Sequence, residues 1–213
     1  DIAEEMCRFS GIETIKSKKI SEAMVINHDP KWTTIKKVQF EAVQLGLTEV
    51  IPFPLLEKTN NTQPVILNPI SSELSQLQQS GKKSLLAIAG FNASRHQRPC
   101  RLFSIGPVWD SLSEEKMHFS ALIQGQQHYQ PYQPDQSNSI GFFDIKGMVD
   151  QLLNGVQYHV ERSKSSLLHP GQSADIIING QRQGCFGLAH PTIEDAYRIG
   201  KTGLIELNIT ALD

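Results

Sequence analysis

The sequence predicts an α+β domain in which helices flank a largely antiparallel sheet. Strand-like and helix-like segments are mixed without the strict alternation that is typical of a parallel sheet. An Asn179-Gly180 pair between two apolar runs indicates a β-hairpin, which pairs antiparallel strands. The 213 residues, 39% hydrophobic and 20% charged, suffice for one large domain or for a domain with an appendage.

The sequence begins with a predicted short helix over residues 1–10, which Gly11 ends, and a polar linker follows over residues 16–28. Three carboxylates lie at positions i, i+3 and i+4 of this helix: Asp1, Glu4 and Glu5. Three hard oxygen ligands on one helix face suit Mg²⁺ or Ca²⁺. An acidic first turn that complements the helix dipole explains the pattern more simply, and from the pattern alone we favour that interpretation.

A longer helix is predicted over residues 29–45, with Asp29 as its N-cap, Pro30 in its first turn and Gly46 at its end. Its apolar stripe is predicted to face the core and consists of Trp32, Ile35, Val38, Ala42 and Leu45. Residues 47–55 then predict a strand with a proline break.

The middle of the chain predicts a helix followed by two strands. Residues 71–95 have a helical pattern that Gly81 interrupts. Residues 101–110 and 117–125 are strand-like, and the polar residues 111–116 predict the turn between them.

A loop rich in proline, glutamine and serine is predicted over residues 128–139, and a helix runs from near Asp144 to Gly155. Asp144 and Lys146 could form a functional pair, but a helix cap and a solvated cation are the favoured interpretation. Residues 158–163 predict a strand.

The predicted hairpin joins residues 174–180 to residues 181–188. His169-Pro170 precedes it, and His190-Pro191 follows it and starts a short helix. Residues 203–209 predict the last strand.

His169 and His190 raise the possibility of a metal or catalytic site. Zinc would require further converging ligands, and Cys185, the only nearby thiol, lies in an apolar strand. We therefore favour a structural role, in which proline fixes the chain direction and the imidazole bonds a backbone group. The sequence contains no G-x-S-x-G, P-loop or G-x-G-x-x-G motif.

Composition excludes several classes of protein. A net charge of −2 argues against a nucleic-acid binder that works by bulk charge. No apolar run approaches a membrane span of about 20 residues, and no secretory signal is visible in residues 1–11, so we expect a cytoplasmic protein. The three dispersed cysteines predict reduced structural thiols rather than a disulfide framework or a zinc ribbon. The missing initiator methionine predicts that the sequence begins inside a longer chain.

Six segments, in this order, resemble the β subunit of bacterial phenylalanyl-tRNA synthetase. They are DIAEEMCRFSGIETI, NPISSEL, RLFSIGPVW, FFDIKGMVDQLL, HPGQSADIIINGQRQGCFGLAHP and GLIELNITAL. Each segment alone is weak, but together they span nearly the whole chain.

The resemblance implies a fold, a set of domains and partners. Residues 1–15 would end a preceding small domain of the B5 type, residues 16–28 would be a linker, and residues 29–213 would form a class II synthetase-like module. This module would be a non-catalytic scaffold that packs on the catalytic α subunit in an (αβ)₂ assembly. The whole enzyme attaches phenylalanine to tRNA(Phe) with ATP and Mg²⁺. The chain alone would then be inactive and would bind neither cofactor.

The resemblance also implies site residues. It matches Asp1, Glu4 and Glu5 to the family's Mg²⁺ ligands, although a fourth family ligand would lie upstream, so the site would be incomplete here. No G-x-G-x-G stretch precedes an arginine, as a class II catalytic site would require, and no catalytic residue is assigned. The helix over residues 29–45 and the strand after it are the predicted subunit contact.

Three positions depart from the family pattern, in which Gln78 would be arginine, Ser104 glutamate and Asn208 aspartate. They indicate a divergent branch or altered contacts with the α subunit or tRNA. Two alternatives stay open at this point. One is a stand-alone class II-like enzyme that binds ATP, and the other is a metal-dependent hydrolase that uses His169 and His190.

Overall fold

A computed structural model of the chain describes residues 1–19, 29–58, 64–95, 100–111, 114–125 and 139–212. Most of the predicted linker and nearly all of the predicted loop over residues 128–139 lie outside these described residues. Within them, no helix is both long enough and apolar enough to cross a bilayer.

The main sheet has seven strands and is antiparallel except for one edge pair, which confirms the prediction. Its strands, in order across the sheet, are β1 (Thr48–Glu49), β4 (Arg101–Ser111), β5 (Glu114–Gln124), β9 (Thr202–Asn208), β8 (Gln181–Ala189), β7 (Leu168–Ile178) and β6 (His159–Arg162). A second small sheet pairs β2 (Leu55–Leu56) with β3 (Gln76–Leu77). The last strand of the sequence, β9, therefore lies at the centre of the main sheet.

Helices cover both faces of this sheet. The α-helices are α1 (Ile2–Ser10), α2 (Pro30–Gln44), α3 (Gly81–Ser94), α4 (Phe142–Leu152) and α5 (Pro191–Tyr197). α2 and α4 pack on the face that carries Phe103, Phe119 and Ile205, whereas α3 and α5 pack on the face that carries Leu122 and Leu204. Alternate residues of each strand thus serve two separate cores, as the two-residue period of a strand requires.

α2 has the predicted ends but not the whole predicted stripe. The Asp29 carboxylate accepts a hydrogen bond from the Lys31 backbone N–H at 3.0 Å, and Val38 and Ala42 are buried. Trp32 is wrong as a core residue, because it is 57% exposed and its ring lies 4.6 Å from Lys36 Nζ. At about 100° per residue, Trp32 lies about 120° around the helix from Val38, outside the buried face.

The predicted helix over residues 71–95 is wrong in its first part. Residues 72–74 form a short 3₁₀ turn, β3 follows, and α3 begins only at Gly81. Ser80 caps α3 by accepting a hydrogen bond from the Lys82 backbone N–H at 3.3 Å. Gly81 does not interrupt a helix but starts one. The position requires glycine, because a Cβ there would lie 2.5 Å from Ser120 Oγ on the sheet below.

Two predicted strands have different bounds in the structure. The predicted strand over residues 47–55 is reduced to β1 and the start of β2, since Pro52 and Pro54 supply no backbone N–H between them. β5 begins at Glu114 rather than Met117, so most of the predicted polar turn is strand. Lys116 Nζ bonds Asp110 across the hairpin at 2.8 Å.

The C-terminal predictions are confirmed. Asn179 and Gly180 have φ values of 52° and 74°, which fit the tight hairpin turn between β7 and β8. α4 begins at Phe142, and the Asp144 carboxylate accepts the Gly141 backbone N–H at 2.7 Å, as a capping residue does. Lys146 lies on the surface, where it pairs with Asp150 at 2.8 Å.

Candidate functional site: a polar row on the sheet and the cavity beside it

One row of polar side chains crosses the sheet on the face that α3 covers. Five residues on neighbouring strands are paired in register: Ser104, Ser120, Glu206, Cys185 and Asp175. The outer end of the row and its centre differ in environment. Asp175 is held at the outer end by Arg182 Nε at 2.9 Å, whereas the central residues are buried beneath the N-terminus of α3.

Glu206 is the centre of the row. Its carboxylate accepts hydrogen bonds from Ser80 Oγ at 2.6 Å and from the Gly81 backbone N–H at 3.2 Å, and it pairs with Lys82 Nζ at 2.7 Å. The first turn of α3 therefore places one hydroxyl, one backbone donor and one ammonium group around a single buried anion. The positive end of the helix dipole favours the same charge.

The buried ion pair keeps both of its charges. Burial alone would raise the pKa of Glu206, but the Lys82 charge, the nearby His118 side chain and hydrogen bonds from Lys82 and Ser80 bring the pKa down to about 2. Burial would likewise lower the pKa of Lys82, and the neighbouring Glu206 carboxylate raises it above its ordinary value instead. A buried charge without a partner would cost several kcal/mol.

Cys185 is a buried thiol rather than an exposed nucleophile. Its Sγ lies 3.0 Å from Lys82 Nζ, and burial raises the pKa of the thiol. Among the described residues, no disulfide joins Cys7, Cys100 and Cys185.

A cavity of about 140 Å³ opens beside this cluster, between the start of α3 and strands β4 and β5. Its polar floor carries Gln78, Ser104, His118 and Ser120, and its walls include Ile51, Pro54, Pro107 and Val108. Among the described residues, neither Ser120 Oγ nor His118 Nδ1 has a hydrogen-bond partner, although both atoms are buried. His118 Nδ1 lies 3.8 Å from Glu206 Oε1, which is beyond hydrogen-bond distance.

Two of the three departures from the family pattern line this cavity. Gln78 Nε2 donates to the Pro107 carbonyl at 2.9 Å, and Ser104 lies on the floor. The two neutral side chains therefore stand together where the resemblance implies an arginine and a glutamate. The third departure has a separate local role, because Asn208 Nδ2 donates to Gln183 Oε1 at 3.0 Å, which an aspartate could not do.

The two predicted histidines bond to nearby backbone groups. His169 Nδ1 accepts the Gly171 backbone N–H at 3.1 Å, and His190 Nδ1 accepts the Thr192 backbone N–H at 3.3 Å as the cap of α5. In the part of the chain that the structure describes, no three His, Cys, Asp or Glu side chains are grouped so that they could hold a metal ion. The hydrolase alternative is therefore not favoured.

The three carboxylates at the start of α1 are exposed. Glu5 Oε1 pairs with Arg8 Nη1 at 3.0 Å, and among the described residues Asp1, Glu4 and Glu5 are not grouped as the ligands of a metal ion would be. Carboxylates are the right donors for Mg²⁺, but as placed here they do not converge on one point. The magnesium assignment stays a prediction for a longer chain.

Sequence reasoning missed Lys82, Glu206 and the cavity. Lys82 lies in a short basic run that resembles a solvated helix start. The burial of Glu206 could have been predicted from the sequence. This single carboxylate interrupts the apolar run Gly203–Leu207 at a position that the strand period assigns to a buried face. A buried carboxylate requires a buried donor or cation, and only the three-dimensional structure identifies Lys82 as that partner.

Comparison with known proteins agrees with this architecture. The family described as "Phenylalanyl tRNA synthetase beta chain CLM domain" matches residues 15–209. Two solved structures of a pyrrolysyl-tRNA synthetase from Desulfitobacterium hafniense superpose with TM-scores of 0.64 and 0.63 at 11% and 10% identity. They cover 99% of this chain and 72% and 73% of their own chains. At that identity the likeness shows the fold alone, which is that of class II aminoacyl-tRNA synthetases.

Curated relatives cover the whole chain. They include the phenylalanine–tRNA ligase β subunits of Acinetobacter baylyi at 31% identity, Legionella pneumophila at 29% and Listeria monocytogenes at 27%. The chain spans 28% to 29% of the length of these relatives. Since the family match covers most of the chain and the fold agrees, the chain belongs to the CLM domain family of the phenylalanyl-tRNA synthetase β chain.

Proposed function

We propose that this chain is a non-catalytic scaffold module that packs on the catalytic α subunit of a phenylalanine–tRNA ligase. The complete (αβ)₂ enzyme would attach phenylalanine to tRNA(Phe) in the cytoplasm with ATP and Mg²⁺. The names of the relatives support the enzyme, and the surface of α2 supports the scaffold role.

The observation that carries the proposal is an apolar stripe on the outer side of α2. Trp32, Phe40 and Val43 are 57%, 63% and 57% exposed, and their spacing places them together on the side of the helix that faces away from the core. Aromatic side chains are enriched at the centre of protein interfaces. The stripe lies on the helix that the sequence predicts as the subunit contact.

The polar row supports a non-catalytic role. Stabilising the charge that develops on a transferring phosphoryl group requires a cation that is available to the substrate. Lys82, the buried cation of this face, is 2.7 Å from Glu206 and is already neutralised by it. We therefore expect no ATP–pyrophosphate exchange above the blank from the chain alone, and clear exchange would contradict the proposal.

The domain division is part of the same proposal. α1 buries none of its residues within the described part of the chain, which is consistent with a segment that belongs to a preceding domain. The family match begins at residue 15, close to the proposed boundary. Asp1, Glu4 and Glu5 would then act as Mg²⁺ ligands only with that domain in place.

The test is co-expression of this chain with its cognate α subunit, followed by native mass spectrometry. We expect a stable complex that Phe40→Asp on α2 abolishes. The matched control is Phe91→Asp, because Phe91 is 58% exposed on α3, which packs on the opposite face of the sheet from α2, and its loss should leave the complex intact. A complex that survives Phe40→Asp, or no complex with the unaltered chain, would contradict the proposed contact.

A further inference from the structure

We propose that the cavity between the start of α3 and strands β4 and β5 binds a neutral aromatic ring that carries one hydroxyl group, the chemistry of a phenol. This inference concerns a different surface from the proposed α2 contact and does not depend on it. Four properties of the cavity support it: its size, its floor, its charge and its walls.

The size of the cavity limits the ligand to one ring. Its volume of about 140 Å³ is close to that of an engineered protein cavity of about 150 Å³ that holds benzene. A purine with its ribose or an extended chain would not fit. One six-membered ring with a small substituent would.

The floor requires a polar group on that ring. Ser120 is 1% exposed, lines the cavity, and its Oγ has no hydrogen-bond partner among the described residues. His118 Nδ1, two residues away on the same face of β5, is a second buried atom without a hydrogen-bond partner among the described residues, and its nearest charged atom is Glu206 Oε1 at 3.8 Å. Buried polar atoms are nearly always satisfied, so a ligand hydroxyl that can both donate and accept would complete this floor.

The groups at the floor disfavour an ionic group on the part of the ligand that reaches them. The nearest buried charges, on Lys82 and Glu206, neutralise each other at 2.7 Å. The floor itself presents only hydroxyl, amide and imidazole groups, from Gln78, Ser104, His118 and Ser120. A carboxylate, phosphate or ammonium group would enter without an opposite charge and would lose its hydration.

The apolar walls of the cavity favour an apolar ring and indicate where the phenol group could come from. Pro54, Pro107 and Val108 line the cavity, and Ile51 at its mouth is 92% exposed. Tyrosine has an apolar ring and a polar tip and is a frequent anchor in interface pockets. The phenol group can therefore come from a tyrosine side chain of a partner or from a small free phenol.

The experiment is a titration of the ¹⁵N-labelled chain, followed by two-dimensional NMR, with p-cresol as the tyrosine side-chain analogue and toluene as its hydroxyl-free match. We expect saturable shifts of the Ser104 and Ser120 amides with p-cresol, and affinity at least about tenfold weaker for toluene, because a lost hydrogen bond to a buried group leaves that group unpaired. Equal affinity for both compounds, or no saturable shift with p-cresol, would overturn the proposal.

Three variants make the test specific. Gly106→Leu should abolish binding without a clash, because a Cβ added at Gly106 meets no atom within 4 Å. Ser120→Ala should reduce p-cresol affinity to that of toluene. Ser173→Ala is the matched control, since Ser173 Oγ is also buried and lacks a hydrogen-bond partner in the described part of the chain, but it does not line the cavity. Loss of the p-cresol preference in Ser173→Ala, or its retention in Ser120→Ala, would refute the assignment of the floor.

A second pair of ligands separates the two sources. N-acetyl-tyrosine amide presents the ring as a peptide does, whereas free tyrosine adds an ammonium and a carboxylate. Binding of the amide alone supports the phenol chemistry with a partner tyrosine as its source. Binding of free tyrosine as well supports the same chemistry with a small-molecule source, and binding of neither, beside bound p-cresol, limits the site to simple phenols.

Discussion

Replacement of Glu206 by glutamine tests whether the buried ion pair determines the stability of this domain. Glu206→Gln keeps the size of the side chain and removes its charge. Lys82, whose Nζ lies 2.7 Å from the carboxylate, is then left as a buried ammonium group without an anion. Removal of one partner from a buried pair costs about 3–5 kcal/mol.

The pKa of Glu206 gives a second, independent magnitude. A lowering from 4.5 to about 2 corresponds to about 3 kcal/mol of stability, because one pKa unit is about 1.4 kcal/mol. A carboxylate whose pKa falls on folding contributes this stability above pH 4.5, and the contribution is lost as the pH falls towards 2. The difference between the unaltered chain and Glu206→Gln should therefore be full at pH 7 and should shrink below pH 4.5.

Urea unfolding at pH 7 and at a series of acid pH values measures this difference, provided that the dependence on urea is unchanged by the mutation. The double variant Lys82→Met/Glu206→Gln removes both charges and should recover most of the loss, since apolar replacement of a buried pair is often neutral. Glu5→Gln is the control, because the Glu5–Arg8 pair is exposed and should contribute less than about 1 kcal/mol. The reasoning is refuted if Glu206→Gln costs as little as Glu5→Gln, or if the double variant is as unstable as the single one.

Three further predictions concern packing, the cavity and a helix cap. Gly184→Ala should unfold the domain or lower its thermal midpoint severely, because the new Cβ would overlap the backbone of β9, whereas Gly106→Ala, where the Cβ meets nothing, should leave the midpoint nearly unchanged. Gln78→Arg and Ser104→Glu each introduce a single buried charge, and each should lower the free energy of unfolding by about 3 kcal/mol, measured with urea. In the double variant the loss should be at least about 1 kcal/mol smaller than the sum of the two single losses. Strict additivity would show that the two residues do not interact across the cavity. Asp29→Ala should cost about 1 kcal/mol through loss of the 3.0 Å cap of α2, and an unchanged free energy of unfolding would show that this cap contributes nothing.

Local signals in the sequence were sufficient for much of the fold. The Asp29-Pro30 start predicted α2, and the Asn179-Gly180 pair predicted the hairpin, because these residues act on the backbone directly. The start of α3 was misjudged because Gly81 has low helix propensity, and its position is determined by contact with Ser120 on a distant strand. Trp32 was misplaced because an apolar side chain indicates burial but does not show that its side of the helix faces the core.

The candidate site was mostly beyond prediction from the sequence. A strand period can place Glu206 on an inner face, but the partner Lys82 is far away in the sequence and reaches it only through the docking of α3 on the sheet. The cavity depends on four chain segments at once. The family pattern identified Gln78 and Ser104 as neutral departures from an arginine and a glutamate, but it did not show that the two share one cavity.

The central position of β9 has a consequence for how the domain is made. β9 pairs with β5 on one side and with β8 on the other, so among the described residues the two halves of the sheet are joined through the strand that comes latest in this sequence. During synthesis on the ribosome, neither half can complete its core until the residues of β9 have left the exit tunnel. Contacts between segments so distant in sequence slow folding and leave apolar surface open in the meantime. A nascent chain that stalls before Thr202 would thus be a natural client for chaperones, and the domain would become resistant to protease only after its final strand is released.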